Sequence, residues 1–494
     1  MNRHLRLLLT SLASAGLLLA SVHAYAQTQS NPLKEFQTQS LNWKDCGDGL
    51  QCTTFKVPMN YDAIDKNIFT LSVVRHAATD QRNRIGTLFV NPGGPGGSAV
   101  NYASQAKLIV SSAITQRYDI VGFDPRGVGK SEPAHCLSDK AEDTYISSDT
   151  AVLTKNDLNN LLAQAKKFAD ACAKETGPKI GHYGSVDTAR DMELLRVILN
   201  EPKVNYLGKS YGTFLGTIYA ALYPTHVGKF VLDGAIDPNA SNGAQNLAQA
   251  IGFDTALLDY IKKTKGFTQK EIVAFLNTLH SKPLEIQSGR KLTSSLAIIG
   301  IASTLYDNVS GWPNLTEALN EAINKGNGRP LLDLADAYNL RDANGHYSNE
   351  NDIAEIISCL DLAEPRSVAQ MTKDGIVMKA KAPVFGPFLT YAGLACKYWD
   401  HSASKKPSMK KILTSPVIVI GVNKDPATPY AWSQKLASIF SGSTLITFNG
   451  EGHTGHNRGS KCVDSRVDSY LLGGPAGNNL TCFTLYFLRV KVPT

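Results

Sequence analysis

The segment Gly208-Lys209-Ser210-Tyr211-Gly212 constrains this 494-residue chain more than any other. It follows the short apolar run Val204-Asn205-Tyr206-Leu207 and leads into Thr213–Leu222, which reads as a helix. A serine with glycine two residues away on each side, between a strand and a helix, predicts a turn too sharp for side chains at the flanking positions. Such a turn holds the serine oxygen clear of the backbone, next to the first free N–H of the following helix. Glycine and serine are common loop residues, so the pentapeptide alone decides little. Its partners elsewhere in the chain decide.

Short apolar runs alternate with helical stretches along most of the sequence. Phe69–Arg75, Gly86–Val90, Tyr118–Phe123, Lys229–Gly234, Pro416–Gly421 and Ser443–Phe448 read as strands. Residues 152–174 and Asp187–Leu199 read as helices, with Asp187 as the expected N-cap of the second. This alternation predicts a largely parallel sheet with helices on both faces. From about 239 to 405 the rhythm changes: helical patterns such as Leu247–Lys263 and Lys270–His280 dominate, and buried-strand runs are scarce. The expected organisation is one α/β domain in two parts, 27–238 and 406–494, interrupted by a mainly helical cap at 239–405.

Arg3 and Arg6 precede two leucine-rich runs and the small-residue pattern Ala24-Tyr25-Ala26, which predicts a signal peptide over residues 1–26. The apolar run is too short and too interrupted by Thr10, Ser11 and Ser14 to serve as an anchor, and no later segment is apolar enough for stable membrane insertion. The expected product is exported, to a periplasm or to the medium. Net charge is +7 and scattered, without a basic tract interleaved with aromatics, so nucleic acid is not an expected partner. Eight cysteines in an exported chain read as disulfides. Nearest-neighbour pairing gives Cys46–Cys52, Cys136–Cys172, Cys359–Cys396 and Cys462–Cys482, one of 105 possible connectivities for eight cysteines. No C-x-x-C occurs and no histidines interleave at zinc spacing, so neither a metal nor a cofactor is expected.

A serine hydroxyl needs a base to take its proton and a third group to orient that base. Asp425, in Lys424-Asp425-Pro426, directly follows one predicted strand, and His453, in Gly450-Glu451-Gly452-His453, directly follows another. Loops at the carboxyl ends of parallel strands share one rim of the sheet, so Ser210, Asp425 and His453 can converge there in the order nucleophile, acid, base. His456 is the nearby rival for the base, farther from the strand end. The loop Asn91-Pro92-Gly93-Gly94-Pro95-Gly96-Gly97-Ser98 lacks the lysine and spacing of a phosphate loop. It fits an oxyanion hole, with the amides of Gly94 and Tyr211 as donors. Asp124 and Arg126, after another strand, read as a structural ion pair or turn.

These motifs together resemble the α/β-hydrolase serine peptidases of the proline iminopeptidase type, closest to the secreted bacterial tripeptidyl aminopeptidase branch. Asn91–Ser98, Phe123–Ser131, Thr188–Leu195, Gly208–Gly212, Asp425–Pro429, Gly452-His453 and the tail between Cys462 and Cys482 carry the likeness. The resemblance implies the α/β-hydrolase fold and an exopeptidase acting on peptide substrates with free N-termini. In such an enzyme Ser210 is acylated, His453 acts as base then acid, and Asp425 orients it. The same resemblance implies cap carboxylates that hold the substrate's terminal ammonium, here Asp361 and Glu364 of Cys359-Leu360-Asp361-Leu362-Ala363-Glu364. Lys209, beside the nucleophile, is expected to touch subsite preference. A carboxylic ester hydrolase on the same scaffold would use the same three residues. A non-catalytic surface binding protein would be expected to have lost one of them.

Overall fold

Ten strands form one sheet in a computed structural model that describes residues 32–286, 289–362, 366–401 and 403–483. The expected signal peptide lies outside the described residues. In chain order the strands are β1 (Lys44–Asp45), β2 (Leu50–Pro58), β3 (Ile68–His76), β4 (Gly86–Asn91), β5 (Tyr118–Phe123), β6 (Val204–Lys209) and β7 (Val227–Asp233). A separate ribbon of β8 (Leu284–Glu285) and β9 (Lys291–Leu292) follows, then β10 (Ile418–Lys424), β11 (Thr444–Glu451) and β12 (Leu480–Phe483). The large sheet runs β1-β2-β3-β5-β4-β6-β7-β10-β11-β12. Pairing is antiparallel from β1 through β3 to β5 and parallel from β5 onward to β12.

Every residue of β4 and β5 is buried, as parallel strands covered on both faces require. Their side chains still divide with a period of two. Leu88, Val90 and Ile120 pack with Leu207, Ile418 and Ile420 on one face, while Phe89 and Val121 pack with Phe214 and Leu215 on the other. Between β7 and β10 the chain is mostly helical, and its larger helices close a separate apolar core around Leu257, Tyr260, Leu296, Ile301 and Leu331. One helix of this segment behaves differently. Glu350–Asp361 sends Ile353, Ile356 and Ile357 into the core of the sheet, which draws its first turn against the loop after β4.

The structure closes all four nearest-neighbour disulfides: Cys46–Cys52, Cys136–Cys172, Cys359–Cys396 and Cys462–Cys482. Arg126 is fully buried and spends every guanidinium donor. It meets Asp191 at 2.6 and 2.8 Å and the carbonyls of Met59, Pro58 and His182 at 2.7, 2.8 and 3.3 Å. Asp124 is not its partner. That carboxylate accepts from the Ser98 hydroxyl and the amides of Val100 and Lys130, and so ties the loop after β4 to the loop after β5. The helix expected at Asp187 starts at Ser185, with Asp187 inside its first turn. Its end is capped from outside: Asp361, 176 positions away, accepts the Ser185 amide at 3.0 Å.

Candidate functional site

Ser210 sits directly after β6 at φ 55° and ψ −124°, a backbone region costly for a residue with a side chain. The amide of Ser210 donates to the Asp233 carbonyl at 2.9 Å, while its own carbonyl accepts from the Thr213 amide and hydroxyl. Gly212 is required by the crossing with β4, since a Cβ there would stand 2.8 Å from Asn91 Oδ1. Gly93, at φ +101°, is required by the same crossing: its Cβ would lie 2.6 Å from the Lys209 carbonyl and 2.9 Å from Ser210 Cβ. The glycine-rich loop therefore lies directly on the nucleophile turn, pinned by Asn91 Oδ1, which accepts the Gly93 amide at 3.0 Å.

Asp425 follows β10 and is fully screened from solvent. Its Oδ1 accepts the amides of Ala427 and Thr428 at 2.9 and 2.8 Å, and its Oδ2 accepts the Thr428 hydroxyl at 2.9 Å and the Thr454 amide at 3.2 Å. His453, after β11, donates Nδ1–H to this carboxylate, 3.0 Å from both oxygens. That bond sets the tautomer and leaves the other ring nitrogen free to accept a proton. On the Ser210 side, Gly234 follows Asp233, and a Cβ there would stand 3.2 Å from His453 Cε1. The imidazole thus lies over the strand end that holds the Ser210 amide. Among the described residues no hydrogen bond reaches the Ser210 hydroxyl; bonds of this kind are often long before substrate enters and close on binding.

The Gly94 and Tyr211 amides have no acceptor among the described residues. Tyr211 is the first residue of its helix, so its N–H has no intrahelical partner. Its phenol bonds the Ser185 hydroxyl, which in turn donates to Asp361. Asp361 is buried, and burial pushes its carboxyl up to about 6. Both its oxygens are taken by Ser185, so it supports the residue after the nucleophile and the start of helix Ser185–Ile198. Glu364 lies outside the described residues.

Three groups escaped the sequence reading. Thr428 bonds Asp425 and stands 3.2 Å from His453 Nδ1; its place three residues after the acid was the available signal. Asp233, fully buried at the end of β7, accepts the amides of Gly455 and His456 at 2.7 and 3.0 Å and so holds the loop that carries the imidazole. Glu350 lies over the glycine-rich loop, its Cγ 3.3 Å from where a Cβ on Gly96 would be. No hydrogen bond or ion pair reaches its carboxylate among the described residues, and burial raises its pKa. Lys209 turns away from the substrate side: its ammonium donates to the His456 carbonyl at 2.9 Å and lies 3.8 Å from Asp233. His456, the rival base, is buried away from Asp425, and burial followed by the charge of Lys209 pushes it down to about 3.

A strained serine after one strand, with a carboxylate–imidazole pair after two others, is the arrangement of a serine hydrolase. The alpha/beta hydrolase fold family matches residues 86–457. The chain belongs to that family. Serine protease Hip1 of Mycobacterium tuberculosis is 32% identical over 469 residues, covering 88% of this chain and 89% of its own. A tripeptidyl aminopeptidase of Streptomyces coelicolor is 30% identical over 475 residues, covering 90% and 86%. A protein named carboxylesterase B, also from Mycobacterium tuberculosis, is 34% identical over 446 residues, covering 86% and 84%. Members of this alpha/beta hydrolase family therefore carry both peptidase and esterase names at similar distance from this chain.

Proposed function

We propose that this protein is an exported serine exopeptidase that cleaves peptides near their free N-termini, with tripeptide release as the favoured mode. The observation that carries the reading is the His453–Asp425 pair lying over the strand end that holds Ser210. In the first step Ser210 Oγ attacks the scissile carbonyl as His453 takes its proton, and Asp425 stabilises the resulting imidazolium. The Gly94 and Tyr211 amides receive the developing oxyanion, each donor of this kind being worth about 3–4 kcal/mol. His453 then protonates the leaving amine. Water repeats the sequence on the acyl-enzyme and frees the N-terminal fragment.

Glu350 is the carboxylate assigned to the substrate's ammonium. Among the described residues it is unpaired, and it stands beside the glycine-rich loop, whereas Asp361 is already engaged by Ser185. Four disulfides suit an oxidising compartment, in keeping with export to a periplasm or to the medium. Among the described residues no helix is long and apolar enough to cross a membrane. The test is a comparison of unblocked di-, tri- and tetrapeptide anilides with their N-acetylated forms and with short acyl esters. Hydrolysis of the unblocked peptides, fastest at three residues and weak after acetylation, is expected. Equal rates on blocked and free peptides would overturn the requirement for a free N-terminus, and turnover of esters alone would replace this reading with the carboxylesterase one.

A further inference from the structure

The imidazole of His453 is held from two directions, and only one of them is the carboxylate. Asp425 fixes the Nδ1 axis but leaves the ring free to tilt about that bond. On another side stands Tyr306, which ends the cap helix Ser294–Leu305. Its ring centroid is 5.2 Å from that of His453, with the two planes at 89°. Its main-chain carbonyl accepts the His453 amide at 2.9 Å and the Arg458 guanidinium at 3.0 Å. The approach is close enough to dictate the sequence of the base loop: a Cβ at Gly452, where φ is +97°, would lie 2.6 Å from that carbonyl. The glycine before the histidine is therefore required by a cap residue about 146 positions earlier in the chain.

The neighbours of Tyr306 fasten the same contact. Asp307 pairs with Arg458 at 3.2 Å, and Asn308 donates to Glu451 at 3.3 Å. Glu451 also binds Lys263 of the cap at 2.7 Å. On the cap side the Tyr306 ring meets Phe253 at 5.8 Å, and its hydroxyl bonds that of Tyr338 at 3.0 Å. The ring is thus fixed before it touches the imidazole.

We propose that Tyr306 is a positioning residue for the base: its ring limits the tilt of His453, so that a cap side chain sets the direction from which the serine proton is taken. The inference rests on the reading of His453 as the base. It goes beyond that reading by making the cap part of the proton-transfer geometry as well as a cover over substrate. Misplacement of a reacting group by about 1 Å costs on the order of 100-fold in rate.

The experiment measures kcat, KM and the rate of Ser210 acylation by a fluorophosphonate in full-length wild type, Tyr306→Phe, Tyr306→Leu and Tyr306→Ala. Tyr306→Ala should lose about 10- to 100-fold in kcat and in labelling rate while KM changes less than about threefold. Tyr306→Phe, which keeps the ring, should stay within about threefold of wild type on all three. A rise in KM with kcat and labelling unchanged would overturn the proposal and leave Tyr306 a wall of the substrate site. Tyr306→Leu covers the case in which the alanine variant does not fold. It keeps bulk without a flat face, and wild-type kcat in that variant would equally overturn the proposal. Wild type that takes no label on Ser210 would instead sink the serine hydrolase reading itself.

Discussion

Asp425→Asn changes one atom and exposes how much of the site depends on it. The new amide nitrogen must replace one of the two carboxylate oxygens. At the Oδ1 position it would face two N–H donors, Ala427 at 2.9 Å and Thr428 at 2.8 Å. At the Oδ2 position it would face only the Thr454 amide at 3.2 Å and the Thr428 hydroxyl, which can rotate to accept. The second placement is the cheaper one, leaving one opposed buried N–H at a cost of about 1–3 kcal/mol in stability. His453 Nδ1 lies 3.0 Å from both oxygens, but Oδ1 already accepts two amides, so the NH2 donor becomes the group that meets Nδ1 and the ring proton moves to the nitrogen that must accept from Ser210. A base in the wrong tautomer loses on the order of 10⁴ in kcat, or about 5 kcal/mol at 1.36 kcal/mol per decade. The assay is kcat on an unblocked tripeptide anilide, with thermal unfolding as the control. A folded variant that retains more than a tenth of wild-type kcat would refute Asp425 as the orienting group.

Three further outcomes follow from buried charges. Arg126→Met leaves Asp191 without its 2.6 Å partner in a fully screened site and should cost about 3–5 kcal/mol, whereas Arg126→Met with Asp191→Leu should recover part of that loss; a double variant less stable than the single, by denaturant unfolding, would contradict the uncompensated-charge explanation. Glu142 is pushed up to about 8 by burial and then by Asp352, so its ionisation opposes folding once pH exceeds its unfolded value near 4.5 and does so fully above 8. Glu142→Gln should therefore melt higher than wild type at pH 8.5 and lose that advantage by pH 4.5, and the reverse trend in paired melting curves would refute the assignment. Glu350→Gln should lower kcat/KM on unblocked peptides about 10- to 100-fold, the value of a charged hydrogen bond, and leave N-acetylated substrates or esters unchanged; an equal loss on both would remove Glu350 from ammonium binding.

Much of the sheet was legible because parallel strands are buried on both faces and appear as unbroken apolar runs, as at Gly86–Val90 and Tyr118–Phe123. The antiparallel edge was harder. Strand β2, Leu50–Pro58, puts Gln51 and Thr53 on the same face as Phe55 and Val57 and exposes Thr54 and Lys56 on the other, so no unbroken apolar run marks it. The three residues of the site could be named because each follows a strand whose end is visible in sequence. What holds them could not. Asp233 reads as the last residue of a strand, and its role exists only because the loop at Gly455 folds over it. Asp187 looked like a cap because aspartate favours that position; Asp361 takes the role because a disulfide-tied cap helix carries it to Ser185. Tyr306 and Glu350 carry no local signal at all, since both matter only where the cap meets the rim of the sheet.

The most direct measurement is peptide mapping by mass spectrometry after treatment of the folded protein with a fluorophosphonate. A single adduct on Ser210, absent from Ser210→Ala and formed far more slowly in His453→Ala, is the expected result. An adduct on another residue, or undiminished labelling of Ser210→Ala, would contradict the assignment of Ser210 as nucleophile.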